Sequence, residues 1–245
     1  DNSKQHLILG GGEKFLHPNV DPSLLSGIML NPMQQSEPSK IALFAGAQYT
    51  WKQWKSEEEA KKLNDVAFNF VENGHFEDSK VSAAFRELGK HMINQNMDGR
   101  VVKLEESVEL APKLTDFMTK LKAGQDVTAE RATLRAEFAK IKEAAELYKA
   151  SGDQKMVAQI HYWLDNAIDQ MNALDAFLTG TEAMTTNDAA KLWDSYYKGL
   201  KLYEQSKTHT FHYVDHLEKA ELGVQHIRPF ILSLKEVLAS EVQKV

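Results

Sequence analysis

The chain has 245 residues, a formal net charge of -6, and 42% hydrophobic against 26% charged residues, which suits one large globular domain or two modest ones. Its acidic balance, with a pI near 5.9, argues against a nucleic-acid or anionic-membrane surface, since both need clustered Lys and Arg. The sequence has no cysteine, which removes disulfides, thiolate nucleophiles and Cys-based zinc sites, and its longest apolar runs fall far short of the ~20 residues that span a bilayer.

The chain opens without an initiator Met or a signal peptide and enters a strand-like run almost at once, so it is expected to be a piece of a longer polypeptide. Gly27 to Leu30 is a short apolar run stopped by Asn31-Pro32, the pattern of a buried strand ended by proline. Pro38 fits a first helical turn, and Ile41, Phe44 and Ala45 then recur at helical spacing. The order strand, loop, helix puts Asn31 at the strand's C-terminal end, where α/β barrels and doubly wound sheets meet their ligands.

After about Trp54 the strand signals vanish. Ser56 and Glu59 form an S-x-x-E capping box, opening a helix whose face is Leu63, Ala67 and Phe70. Asp78 is expected to cap the next, with Val81, Phe85, Leu88 and Met92 inward. Pro112 begins a helix carrying Leu114, Phe117, Met118 and Leu121, closed by Gly124. Leu134, Phe138, Ile141, Ala145 and Tyr148 follow at alternating spacings of four and three, and Ser151-Gly152-Asp153 reads as a stop followed by a new cap. The longest helix carries Met156, Ile160, Trp163, Ala167, Met171, Leu174 and Leu178 and is expected to end at Gly180. Asn187 or Asp188 opens another with Leu192, Tyr196 and Tyr203 inward, and the last runs from about Ile227 through Phe230, Leu234, Leu238 and Val242. Across residues 206–225 helical and extended patterns compete. Each helix has one apolar face, so the helices must pack together in a bundle.

Several stretches invite chemistry. The glycines of "LILGGGEKFLHP" lack the G-K-[ST] of a Walker loop and the spacing of a dinucleotide fingerprint, and a strand-end loop accounts for them better. On a continuous helix, His209, His212 and His216, with Asp215 and Glu218, would line one side and could hold zinc, but the sequence supplies no converging second element. No metal and no cofactor are therefore assigned. Trp51, Trp54, Trp163, Trp193 and Tyr196-Tyr197 could stack on sugars, yet aromatics at helical spacing are usually core. Asn31 stands apart, since an amide at that strand end can both donate and accept toward sugar hydroxyls; fixing its own loop is an equal alternative.

"SGIMLNPMQQSEPSKIALFAGAQYTW" resembles the end of the catalytic barrel in glycoside hydrolase family 84. Ser26-Gly27, Asn31-Pro32-Met33, Glu37, Ser39-Lys40-Ile41-Ala42, Tyr49 and Trp51 match the family pattern, and "HLILG" resembles its His-Leu-Leu-Leu-Gly. Further on, "LAPKLTDFMTKLKAG" and "GVQHIRPFI" are similar to its helical post-catalytic domain. Leu30, Gln48 and Lys52 depart from the usual Thr, Asp and Asn.

The resemblance implies a mainly α fold: a multihelical bundle like the hyaluronidase post-catalytic domain in residues 55–245, preceded in residues 1–54 by a short α/β remnant of a (β/α)8 barrel. It implies a retaining β-N-acetylglucosaminidase in which the sugar's own acetamide oxygen attacks the anomeric carbon, while two adjacent aspartates orient that acetamide and move the proton. No Asp-Asp dipeptide occurs in the sequence, so this chain holds no catalytic residue of that kind, and the pair is expected on an upstream barrel of the same protein. Asn31 matches the family's sugar-contacting Asn, and Asp1 falls where the family keeps an Asp on the same sugar. The implied partner is a glycan or glycoprotein bearing N-acetylglucosamine, in a bacterial protein of the periplasm or exterior, with no nucleic acid and no membrane insertion. The competing expectation is a stand-alone helical scaffold or protein-interaction module without enzymatic activity.

Overall fold

The computed structural model describes residues 7, 9, 20–52, 54–92 and 105–244. Asp1 and the glycine run at 10–12 lie outside them. Among the described residues there are eight α-helices and a single two-stranded sheet: α1 (Ser36–Trp51), α2 (Glu57–Asn73), α3 (Lys80–Gly89), α4 (Ala111–Lys122), α5 (Thr128–Ser151), α6 (Gln154–Thr186), α7 (Ala189–Ser206), β1 (Thr210–Tyr213), β2 (His216–Lys219) and α8 (Ile227–Val242). The fold is mainly α, as the helical periodicities require. The chain forms two compact units, one of Asp1–Glu105 with Leu147–His161, the other of Glu106–Glu146 with Tyr162–Val245.

In the first unit α1 packs on α2 and α2 on α3. Phe68 meets Phe85 edge-on at 5.2 Å, and Phe85 stacks on Tyr148 at 4.4 Å. Leu7 and Leu9 are both buried, and Leu9 N donates to Met92 O at 3.1 Å. The inward face of α2 is Ala60, Asn64, Ala67 and Phe68. Phe70 does not join it as expected: it lies off that face and stacks on Phe44 and Phe76 at 4.9 and 5.3 Å.

The helix starts refine the sequence reading. Ser56 accepts from Glu59 N at 3.1 Å, but the Glu59 carboxylate takes the N–H of Lys55 instead of closing the box on Ser56. Ser79, not Asp78, caps α3, in a reciprocal box with Ser82. Asp78 supports that box from one residue earlier, accepting from Ser79 N and the Ser82 hydroxyl, both at 3.1 Å. Asp153 caps α6 through Lys155 N and Met156 N, both at 3.0 Å, and Asp188 caps α7 through Lys191 N at 3.0 Å.

In the second unit α8 packs against α4 and α7, and the Phe230 ring meets those of Phe117 and Phe138. Gly180 does not end α6, which continues to Thr186. It is a point of close approach, where an added Cβ would lie 3.1 Å from a Leu238 methyl. The competition at 206–225 resolves to a hairpin, β1 antiparallel to β2 with Phe211 opposite Glu218, turning at Val214 with φ of 55°. Phe211 anchors it, its ring 4.5 Å from that of Trp163.

Candidate functional site

The segment leading into α1 is pinned by its alternate residues. Ile28 packs on the cluster of Tyr49, Trp54 and Ala60. Leu30 lies over Gly46, where any Cβ would come within 2.7 Å of its Cδ1 atom. Successive side chains of extended backbone point to opposite sides, so seating 28 and 30 turns Met29 and Asn31 outward. Met29 is 95% exposed, and Asn31 is exposed beside it. The buried strand expected at residues 27–30 is not formed: this stretch belongs to no sheet among the described residues. A strand needs a neighbour for its N–H and C=O groups, and among the described residues none pairs with it.

The turn after Asn31 is held by Ser39, which is 2% exposed. Its hydroxyl accepts from Met33 N at 2.9 Å and donates to Gln35 O at 2.7 Å. The N-cap of α1, Gln35, offers no side-chain cap of its own. Gln159 of α6 supplies one: its Oε1 accepts from Glu37 N at 2.9 Å, and its Nε2 donates to Ser36 Oγ at 3.1 Å. Glu37 is paired with Lys40. Nearby, the Ser23 hydroxyl and N–H hold the exposed Asp21 carboxyl below its usual range. The arrangement presents an outward amide on a braced loop, suited to hydrogen bonding a neutral polyhydroxyl ligand.

Of the other candidates, Trp54 is buried against Tyr49, edge to face at 4.5 Å, whereas Trp51 is 91% exposed. The three histidines do not share a helix, because they fall on and beside the hairpin. His209 Nε2 meets Asp169 Oδ2 at 2.7 Å, while His216 bridges Asp215 and Glu218, both at 2.9 Å. Among the described residues no group of three or more His, Asp or Glu side chains is placed to hold a metal ion. Gln159 escapes sequence reasoning, since nothing local distinguishes a glutamine that caps another helix; Ser39 was visible only as part of the motif.

Residues 1–90 match the family model described as beta-N-acetylglucosaminidase, and residues 109–210 match that of the hyaluronidase post-catalytic domain-like family. The chain thus carries two family matches in succession, an acetylglucosaminidase-type one and a helical post-catalytic domain-like one. Among solved structures it is similar to the family 84 protein CpGH84D, with a TM-score of 0.84 and 25% identity over 96% of this chain and 38% of that one. CpGH84B superposes with a TM-score of 0.76 at 21% identity, over 96% of this chain and 37% of that one. An O-GlcNAc hydrolase mutant of Thermobaculum terrenum gives 0.64 at 15% identity, over 88% and 43%. The chain therefore spans less than half the length of these proteins, and it matches the C-terminal part of a glycoside hydrolase family 84 enzyme. Among the described residues no helix is long and apolar enough to cross a membrane.

Proposed function

We propose that this chain completes the sugar pocket of a retaining, substrate-assisted β-N-acetylglucosaminidase, with Asn31 hydrogen-bonding the hydroxyls of a terminal β-linked N-acetylglucosamine on a glycoprotein, glycan or hyaluronan-type substrate. The observation that carries this reading is the outward amide of Asn31 on a loop braced by Ser39, within a stretch that matches the acetylglucosaminidase family model. Residues 1–54 are read as the end of the catalytic barrel and residues 55–245 as the helical post-catalytic bundle. The two aspartates that orient the acetamide and shuttle the proton belong to an upstream barrel of the same protein, because this chain has no Asp-Asp. Asp1 is a second sugar contact by its position in the family motif. A bacterial enzyme acting outside the cytoplasm is the setting this resemblance favours.

The test uses the full-length protein that carries this chain. It should cleave a chromogenic β-N-acetylglucosaminide, and Asn31→Ala should raise KM by about tenfold, the worth of one or two hydrogen bonds to a neutral ligand. Residues 1–245 alone should show no turnover. A full-length protein inert toward such substrates would favour the helical-scaffold reading instead, and turnover by the isolated chain would overturn the placement of the aspartate pair.

A further inference from the structure

We propose that Gln159 is a positioning residue for the sugar pocket, setting the orientation of Asn31 from a point 123 positions further along the chain than Ser36. This rests on the reading of Asn31 given above. A helix start leaves its first N–H groups without intrahelical partners, and a side-chain acceptor at the N-cap normally takes one of them. The N-cap of α1, Gln35, makes no such bond. Gln159 fills the role from α6, its carbonyl accepting the Glu37 N–H at 2.9 Å while its amide donates to the Ser36 hydroxyl at 3.1 Å.

The first turn fixed in this way carries the atoms that hold the substrate loop. Ser39, one turn in, takes the N–H of Met33, two residues after Asn31, and gives its own proton to Gln35 O. Upstream, the loop is tied through the seats of Ile28 and Leu30. Asn31 therefore sits between one apolar anchor and one hydrogen-bonded anchor, and Gln159 fixes the second. Removing the Gln159 amide while keeping its bulk lets the first turn of α1 fray, and the Met33 tether and the Asn31 amide move with it.

A double-mutant cycle on the full-length protein tests this, using a chromogenic β-N-acetylglucosaminide and unfolding midpoints for every variant. Gln159→Leu should raise KM about three- to tenfold, as for loss of a single neutral hydrogen bond, with kcat within about twofold because only uniform binding is weakened. Gln159→Glu, which still accepts from Glu37 N, should restore most of the affinity. In an Asn31→Ala background Gln159→Leu should add nothing, because residues that act through one another are not additive. If Asn31→Ala raises KM while Gln159→Leu does not, or if the two effects multiply in full, the positioning role is overturned and the sugar-binding role of Asn31 stands. If Asn31→Ala itself leaves KM unchanged, both fall.

Discussion

Glu106 and Gln225 clasp each other's backbone: Glu106 N donates to Gln225 Oε1 at 3.2 Å, and Gln225 N donates to the Glu106 carboxylate. The carboxylate also takes the N–H of His226, the N-cap of α8, which has no side-chain cap of its own. A residue 119 positions upstream of Gln225 thus braces the start of the last helix.

The clasp makes stability depend on pH. Glu106 is 1% exposed, and burial pushes its carboxyl up to about 7, with Glu221 adding to the rise and the Gln225 and His226 N–H groups and Arg228 opposing it. The folded value lies above the unfolded one of 4.5. The contribution is therefore fully present below about pH 4.5 and is lost as pH rises through about 7, a change on the order of 3 kcal/mol. Urea unfolding across this range should show wild type losing stability relative to Glu106→Gln, whose curve lacks this component; parallel curves would show that the carboxyl titrates normally.

Gly199 lets α7 approach α6. A Cβ there would lie 2.5 Å from the ring of Phe177, which is fully buried and has no room to yield. Gly199→Ala should destabilise the protein by about 1–3 kcal/mol through overpacking, despite alanine's better helix propensity. The melting temperature reports this, and an unchanged or higher value would mean that the α6–α7 contact is looser than described.

Tyr148 and the start of α6 share Glu72. The phenol donates to Glu72 Oε2 at 2.6 Å, and Asp153 N donates to Oε1 at 2.8 Å. Burial and the bond to Glu72 hold the Tyr148 hydroxyl far above its usual pKa, so it stays a donor at all ordinary pH values. Tyr148→Phe removes one bond to a charged acceptor and should cost about 1.5–3 kcal/mol, read as a drop in the urea midpoint with an unchanged slope.

Ser79→Ala should cost about 1 kcal/mol, because it deletes the hydroxyl that accepts from Ser82 N at 3.0 Å at the start of α3. Asp78→Asn, which leaves that hydroxyl in place, should cost less. Equal losses from the two, by thermal unfolding, would return the capping role to Asp78.

Much of this molecule was legible in the sequence because the information is local. The four–three spacing from Leu134 to Tyr148 places all five side chains in the core. Asp153 and Asp188 cap helices where a short acceptor precedes an apolar stripe. The motif from Ser26 to Trp51 pointed to the family whose models match the chain. Backbone geometry repeats every few residues, so residue type and spacing suffice for such features.

Tertiary structure alone decided the rest. Phe211 found Trp163 and drew residues 210–219 into a hairpin, breaking up the histidine row. Gly180 became a contact point within α6 because Leu238 approaches it, not a helix end. Residues 27–30 join no sheet among the described residues, and the seats of Ile28 and Leu30 chose the side on which Asn31 emerges. Gln159 and Glu106 brace helices more than a hundred residues away, and such partners leave no periodic trace, because the choice between them is made by packing across the whole chain.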